Sequence, residues 1–169
     1  MSALTEVLND SFGRVQSVAH AAVADLDVDQ LATRPAPDAN SIAWLIWHLA
    51  RVQDDHIADV ADVEQRWTAD GWSQRFGLPL ADSDIGYGHN AEQVAVVRAD
   101  GNLLCGYLDA VTAATCAYVD GLKDSDLERI VDERWDPPVT LSVRLVSVIS
   151  DDLQHAGQAA YLRGLVLRS

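Results

Sequence analysis

Ser41-Ile-Ala-Trp-Leu-Ile-Trp-His-Leu-Ala-Arg-Val-Gln-Asp-Asp-His56 decides the fold class. Ile42, Leu45, Ile46, Leu49 and Val52 recur at three- and four-residue steps, and the rhythm continues to Ile57 and Val60. That is the period of an amphipathic helix. Trp44 and Trp47 widen its apolar side, which suits a helix packed on more than one neighbour. The spacing predicts a helix from about Ser41 to Glu64, with Asn40 or Ser41 as its N-cap. His48 stands on the buried side, among Leu45, Leu49 and Val52.

The rest of the chain follows the same period. Leu4, Val7, Leu8, Phe12, Val15, Val18, Ala19, Ala22, Val23 and Leu26 predict a first helix, with His20 at its boundary. Asp27 to Asn40, with Pro35 and Pro37, reads as a connector. Trp67 to Gly88 carries four glycines, Pro79 and the aromatics Trp67, Trp72, Phe76 and Tyr87. So long an aromatic connector is a candidate lid or pocket wall, or else a cover over the end of the bundle. His89 follows it directly. A third long helix is expected from about Ala91 to Gly121, with Val94, Val97, Leu103, Leu104, Leu108, Val111, Thr115 and Val119 inside. Gly101 and Gly106 weaken it locally or permit close packing. Asp124 to Ile130 reads as a short helical turn, and Arg134-Trp-Asp-Pro-Pro-Val139 as an extended break. The last helix runs from about Thr140 to Arg168. No strand-period alternation is visible. The expectation is an all-α four-helix bundle, one domain over 1–169, with a long loop between the second and third helices.

Size and charge narrow the functions. A chain of 169 residues, 49% apolar, has material for a substantial core. Acidic residues outnumber basic ones 26 to 12, a formal charge of −14. Such a field repels phosphate, so neither nucleic acid nor an anionic membrane surface is an expected partner. No apolar run reaches the roughly 20 residues of a membrane span. Met1-Ser-Ala-Leu-Thr-Glu has no basic segment followed by an apolar one, so a cytoplasmic location is expected. Cys105 and Cys116 fall about 16 Å apart along one helix. That is too far for a disulfide, and both read as small core residues.

Asp151-Asp-Leu-Gln-His-Ala-Gly-Gln158 supplies the chemistry. Positions four apart on a helix differ by about 40° in direction and 6 Å in height. Asp151 and His155 therefore aim at one point, an arrangement that bundle metal sites use. Asp152 competes with Asp151 for this role. His48 is the candidate third ligand, from another helix. His56 lies about 80° around and 12 Å along from His48, a poor match. Asp55 is a candidate partner for an imidazole or a bound water. His89 is a pocket candidate. The plain alternative is a hydrogen-bonded core histidine and a solvated Asp/His helix face.

Ser41-Ile-Ala-Trp-Leu-Ile-Trp-His-Leu-Ala, followed by His155-Ala-Gly-Gln-Ala-Ala-Tyr-Leu-Arg-Gly164, resembles the DinB/YfiT-like superfamily. The likeness is nearest its actinobacterial branch, which includes the N-terminal domain of mycothiol-dependent maleylpyruvate isomerase. The resemblance implies a four-helix bundle whose divalent metal, often zinc or nickel, is held by the matches His48, Asp151 and His155. Many members have histidine at the first of the two C-terminal positions and the isomerase has glutamate, so Asp151 is a departure. The resemblance also implies a thiol-dependent transferase or isomerase, here joining mycothiol to a small electrophile. Three protein ligands leave a coordination position where a thiol would lose its proton. Arg51 and Arg144 are cations for a carboxylate-bearing thiol, unless they make ordinary surface salt bridges. The competing readings are a metal-dependent hydrolase, with Asp55 or His89 as proton carrier, and a non-catalytic binding bundle. A homodimer is compatible with all three.

Overall fold

Ser41 accepts a hydrogen bond from the Trp44 backbone N–H on its Oγ at 3.1 Å, and so starts the helix that anchors the fold. The computed structural model describes residues 3–168; Met1, Ser2 and Ser169 lie outside them. Among the described residues the chain forms α1 (Ala3–Val23), α2 (Val28–Ala32), α3 (Ile42–Ala61), α4 (Arg66–Ala69), α5 (Trp72–Phe76), α6 (Ala91–Ala95), α7 (Gly101–Asp120) and α8 (Leu141–Val166). A 3-10 turn at Asp124–Glu128 and a short antiparallel ribbon, β1 (Ile130–Asp132) with β2 (Val139–Thr140), separate α7 from α8. The four long helices, α1, α3, α7 and α8, make the bundle, and the fold is all-α apart from that ribbon. No described helix is long and apolar enough to cross a membrane.

Polar contacts between helices set their directions. Asn9 bonds Asp120 and Gln16 bonds Asp109, so α1 and α7 run antiparallel. His56 of α3 meets Arg144, and His48 meets His155, so α3 and α8 are also antiparallel. Tyr107 reaches Asp54 whereas Tyr118 reaches the Val60 carbonyl, so α3 and α7 run parallel. Parallel neighbours cannot be joined by a short turn. The chain between them must travel back along the bundle, about 30 Å for helices of this length. Residues 62–100 make that return.

The expected long loop is therefore a structured crossover carrying α4, α5 and α6. It is tied down along its course. The buried Asp54 carboxylate accepts from the backbone N–H groups of Arg66 and Trp67 at 2.9 and 2.8 Å, and so caps α4 from a neighbouring helix. Trp67, Trp72 and Phe76 pack around the buried Tyr107 ring. The expected helix over Ala91 to Gly121 is split. Asp100 accepts from the Leu103 N–H at 2.8 Å and starts α7 afresh, which lets the crossover turn into the bundle. Leu103 is only partly buried and Tyr107 takes the core position instead. Val7, expected inside, is 63% exposed. The ribbon was too short to show alternation in the sequence.

The cap on α4 is testable. Asp54→Ala leaves two backbone donors and the Tyr107 hydroxyl short of an acceptor, so it should lower the unfolding free energy by on the order of 3 kcal/mol. Urea denaturation measures the loss, and limited proteolysis should now cut within residues 62–71.

Candidate metal centre

α3 and α8 bring the site together. His48 lies on the face of α3 turned to α8, 4% exposed. Its ring centroid is 4.8 Å from that of His155. Asp151 and His155 stand one turn apart on α8, with Asp151 Oδ1 3.6 Å from His155 Nε2. One donor atom from each of His48, Asp151 and His155 lies within 4.8 Å of the other two. Among the described residues this is the one group of three or more histidine, cysteine or carboxylate side chains that lie so close.

Each imidazole is oriented by its other nitrogen. His48 Nδ1 bonds the Ile85 carbonyl of the crossover, and a carbonyl only accepts, so Nδ1 carries the proton. His155 Nδ1 likewise donates to Gln158 Oε1 at 3.1 Å. Both Nε2 atoms are therefore lone-pair donors in the neutral rings. Asp151 Oδ2 is buried with no hydrogen-bond partner. Two imidazoles and a carboxylate with an unused buried oxygen are a donor set that could hold a divalent metal, and the outward Nδ1–H bonds are of the kind that fix metal-binding histidines. Trp44 stacks on His48 at 4.5 Å, and Tyr87 stands edge-on to it at 5.9 Å.

The other expected residues go elsewhere. Asp152 turns into the core, 0% exposed, and neither carboxylate oxygen has a partner. Burial, and then the charge of Asp151, push its carboxyl well above the usual range. Asp55 accepts from Gln65 Nε2 at 2.8 Å and orients none of the three. His89 is buried over Trp47, accepts from Trp44 Nε1 at 3.0 Å on Nδ1 and donates to Asp84 from Nε2 at 2.9 Å. It lies beside the site with both nitrogens engaged. His56 pairs with Arg144 at 3.0 Å, a turn or more away. His20, read as a boundary residue, meets Asp109 of α7 at 2.6 Å. Neither arginine makes a surface salt bridge. Arg51 is 0% exposed, and Arg144 sits between Asp132 and His56. The Ile85 carbonyl and Gln158 were missed. Gln158 is signalled by its place three residues after His155; a loop carbonyl leaves no sequence signal.

A family model described as mycothiol-S-transferase matches residues 4–167. The chain belongs to that family. As a member of the mycothiol S-transferase family it is also of the DinB-like type. The finer likeness to the maleylpyruvate isomerase domain rests on the quoted motifs alone. Among solved structures, the chain is similar to a conserved protein from Enterococcus faecalis, with 35% identity, 100% of each chain covered and a TM-score of 0.93. No curated protein matches it.

Burial, more than any other influence, holds the His48 ring below the ordinary imidazole range. The sign follows. A depressed folded value means that the His48 contribution to stability is complete above about pH 6.5 and is lost as pH falls through the folded value. NMR titration of the metal-free protein should show the His48 midpoint below that of an exposed histidine.

Proposed function

We propose that this mycothiol S-transferase family member is a single-domain, divalent-metal-dependent enzyme that joins mycothiol, or a thiol of that kind, to a small electrophile. The observation that carries the reading is the convergence of His48, Asp151 and His155 within 4.8 Å, with both Nδ1 atoms already committed. The family match over 4–167 supports the thiol and the transfer. A cytoplasmic setting belongs to the same proposal.

A divalent ion held there, zinc or nickel by its donor set, would supply the Lewis acidity that deprotonates a thiol at neutral pH. The chain's own part is to hold donors and shape the site. Asp151 offsets positive charge with its carboxylate. Gln158 and Ile85 keep the two Nε2 lone pairs turned to the same point. Trp44 covers one face of the His48 ring, and Tyr87 stands at right angles to that ring. In such a transfer the sulfur lone pair forms the new bond to the electrophilic carbon and the S–H proton goes to solvent. The displaced electron pair leaves with the departing group or stays on the opened π bond.

The hydrolase reading needs a proton carrier, and Asp55 and His89, its candidates, are both engaged elsewhere. Metal analysis of the purified protein, with thiol-consumption assays across several electrophiles, tests the transferase reading. About one equivalent of ion and turnover that requires thiol are expected. His155→Ala should lower metal affinity at least roughly 100-fold and abolish turnover. Turnover unchanged in that variant, or equal without thiol, would overturn the assignment.

A further inference from the structure

His48 is held by a carbonyl in a segment with no regular secondary structure. Residues 81–90 form no helix or strand. Such a segment cannot hold an imidazole unless it is itself held. Two clamps do this, and both originate on α3, the helix that carries His48.

The first is Arg51. Its Nη2 donates to the Asp82 carbonyl at 2.8 Å and its Nε to the Asp84 carbonyl at 3.3 Å. The guanidinium is locked from behind. Nη1 donates to Gln65 Oε1 at 2.7 Å and to the Tyr107 hydroxyl at 3.2 Å, Asp54 lies 3.8 Å away, and the Trp67 ring lies 4.8 Å from Cζ. The second clamp starts at Trp44. Its Nε1 donates to His89, and His89 donates to the Asp84 carboxylate, which also accepts from the Gly86 N–H at 2.8 Å. Ile85 sits between them.

The contact with the imidazole is close. A Cβ on Gly86 would fall 2.6 Å from His48 Nδ1, and 3.1 and 3.2 Å from the Trp47 and Trp44 rings. Gly86 also has φ +97°, where glycine is favoured. The backbone therefore lies directly on the ring, and a shift of the segment is a shift of its hydrogen bond.

We propose that Arg51 and the strap 82–89 form a positioning device for His48. Arg51 fixes the strap by its backbone carbonyls, and the strap fixes the Nδ1–H tautomer and the aim of Nε2. Arg51 acts through Ile85 and is not a metal ligand. A planar fork of five donors suits this role, because one side chain spans acceptors at Asp82, Asp84, Gln65 and Tyr107; a lysine ammonium cannot span them. The inference deepens the metal reading above and rests on it only for its affinity readout.

The test uses Arg51→Lys, Asp84→Asn and Gly86→Ala, with Thr115→Val as a control that removes a buried bond from Gln53 of α3 and touches neither Arg51 nor the strap. Two readouts are taken. In metal-free protein, the ring nitrogen shifts of His48 report its tautomer. In cobalt titrations, affinity and the visible absorption spectrum report its aim as a ligand. The wild type should show a single Nδ1–H tautomer. Each strap variant should show a mixed tautomer, cobalt binding weakened about 10–100-fold and an altered spectrum. Thr115→Val should lose stability while keeping both readouts. Should Arg51→Lys not fold, Asp84→Asn decides by the same readouts. A folded strap variant with the wild-type tautomer and wild-type affinity overturns the proposal, as does a wild type in the Nε2–H form. A wild type that binds no cobalt overturns the metal reading instead, and the tautomer series still decides the clamp.

Discussion

Everything around the candidate site depends on the parallel packing of α3 and α7. Two parallel helices joined in sequence force the chain to run back the length of the bundle. Here it runs back along α3 itself, and its contacts climb that helix in reverse. Gln65 and Arg66 meet α3 at Arg51 and Asp54, Asp82 and Asp84 meet Arg51, Ile85 meets His48, and His89 meets Trp44. The crossover is thus laid along the face where its carbonyl is needed. Connectivity forces the return, and the crossover's own Trp67, Trp72 and Phe76 help to hold it in place.

That course has an energetic requirement. Laying irregular chain on a buried helix face hides backbone polar groups, and each needs a partner. α3 supplies them from charged side chains that the core would otherwise exclude. Asp54 takes two backbone N–H groups and the Tyr107 hydroxyl; Arg51 takes two carbonyls, a glutamine and the same tyrosine. The two charges sit 3.8 Å apart, so each is partly compensated by the other as well as by hydrogen bonds. These residues stabilise the bundle and locate the site by the same bonds. The donors ride on long helices, where packing limits their drift, while the loop only trims the orientation of one ring.

The candidate site was legible where its logic is helical. Asp151 and His155 are four residues apart, and His48 stands on an apolar face, so spacing and periodicity placed them. Asp151 and Asp152 could not be separated that way, since adjacent positions flank one face; the structure sends Asp152 inward and Asp151 to the site. The partners of Asp55, His89 and Arg144 were not legible, because they are Gln65, Trp44 with Asp84, and Asp132 with His56, all on other elements. The break before α7 was missed because apolar residues continue across it, and Asp100 looks like any solvated acid until its side chain is seen capping Leu103.

The sequence by itself determined the all-α class and the four long helices to within a few residues at most ends, and it put forward His48, His155 and one of the Asp151–Asp152 pair as candidate donors. These follow from periods of three and four, which are local and survive without knowledge of neighbours. Only the tertiary structure decided which helices run parallel, where the crossover lies, and which nitrogen of His48 is left free. Those depend on hydrogen bonds between residues on different elements, as between His48 and Ile85. Such pairings are chosen by topology, and no spacing along the chain encodes them.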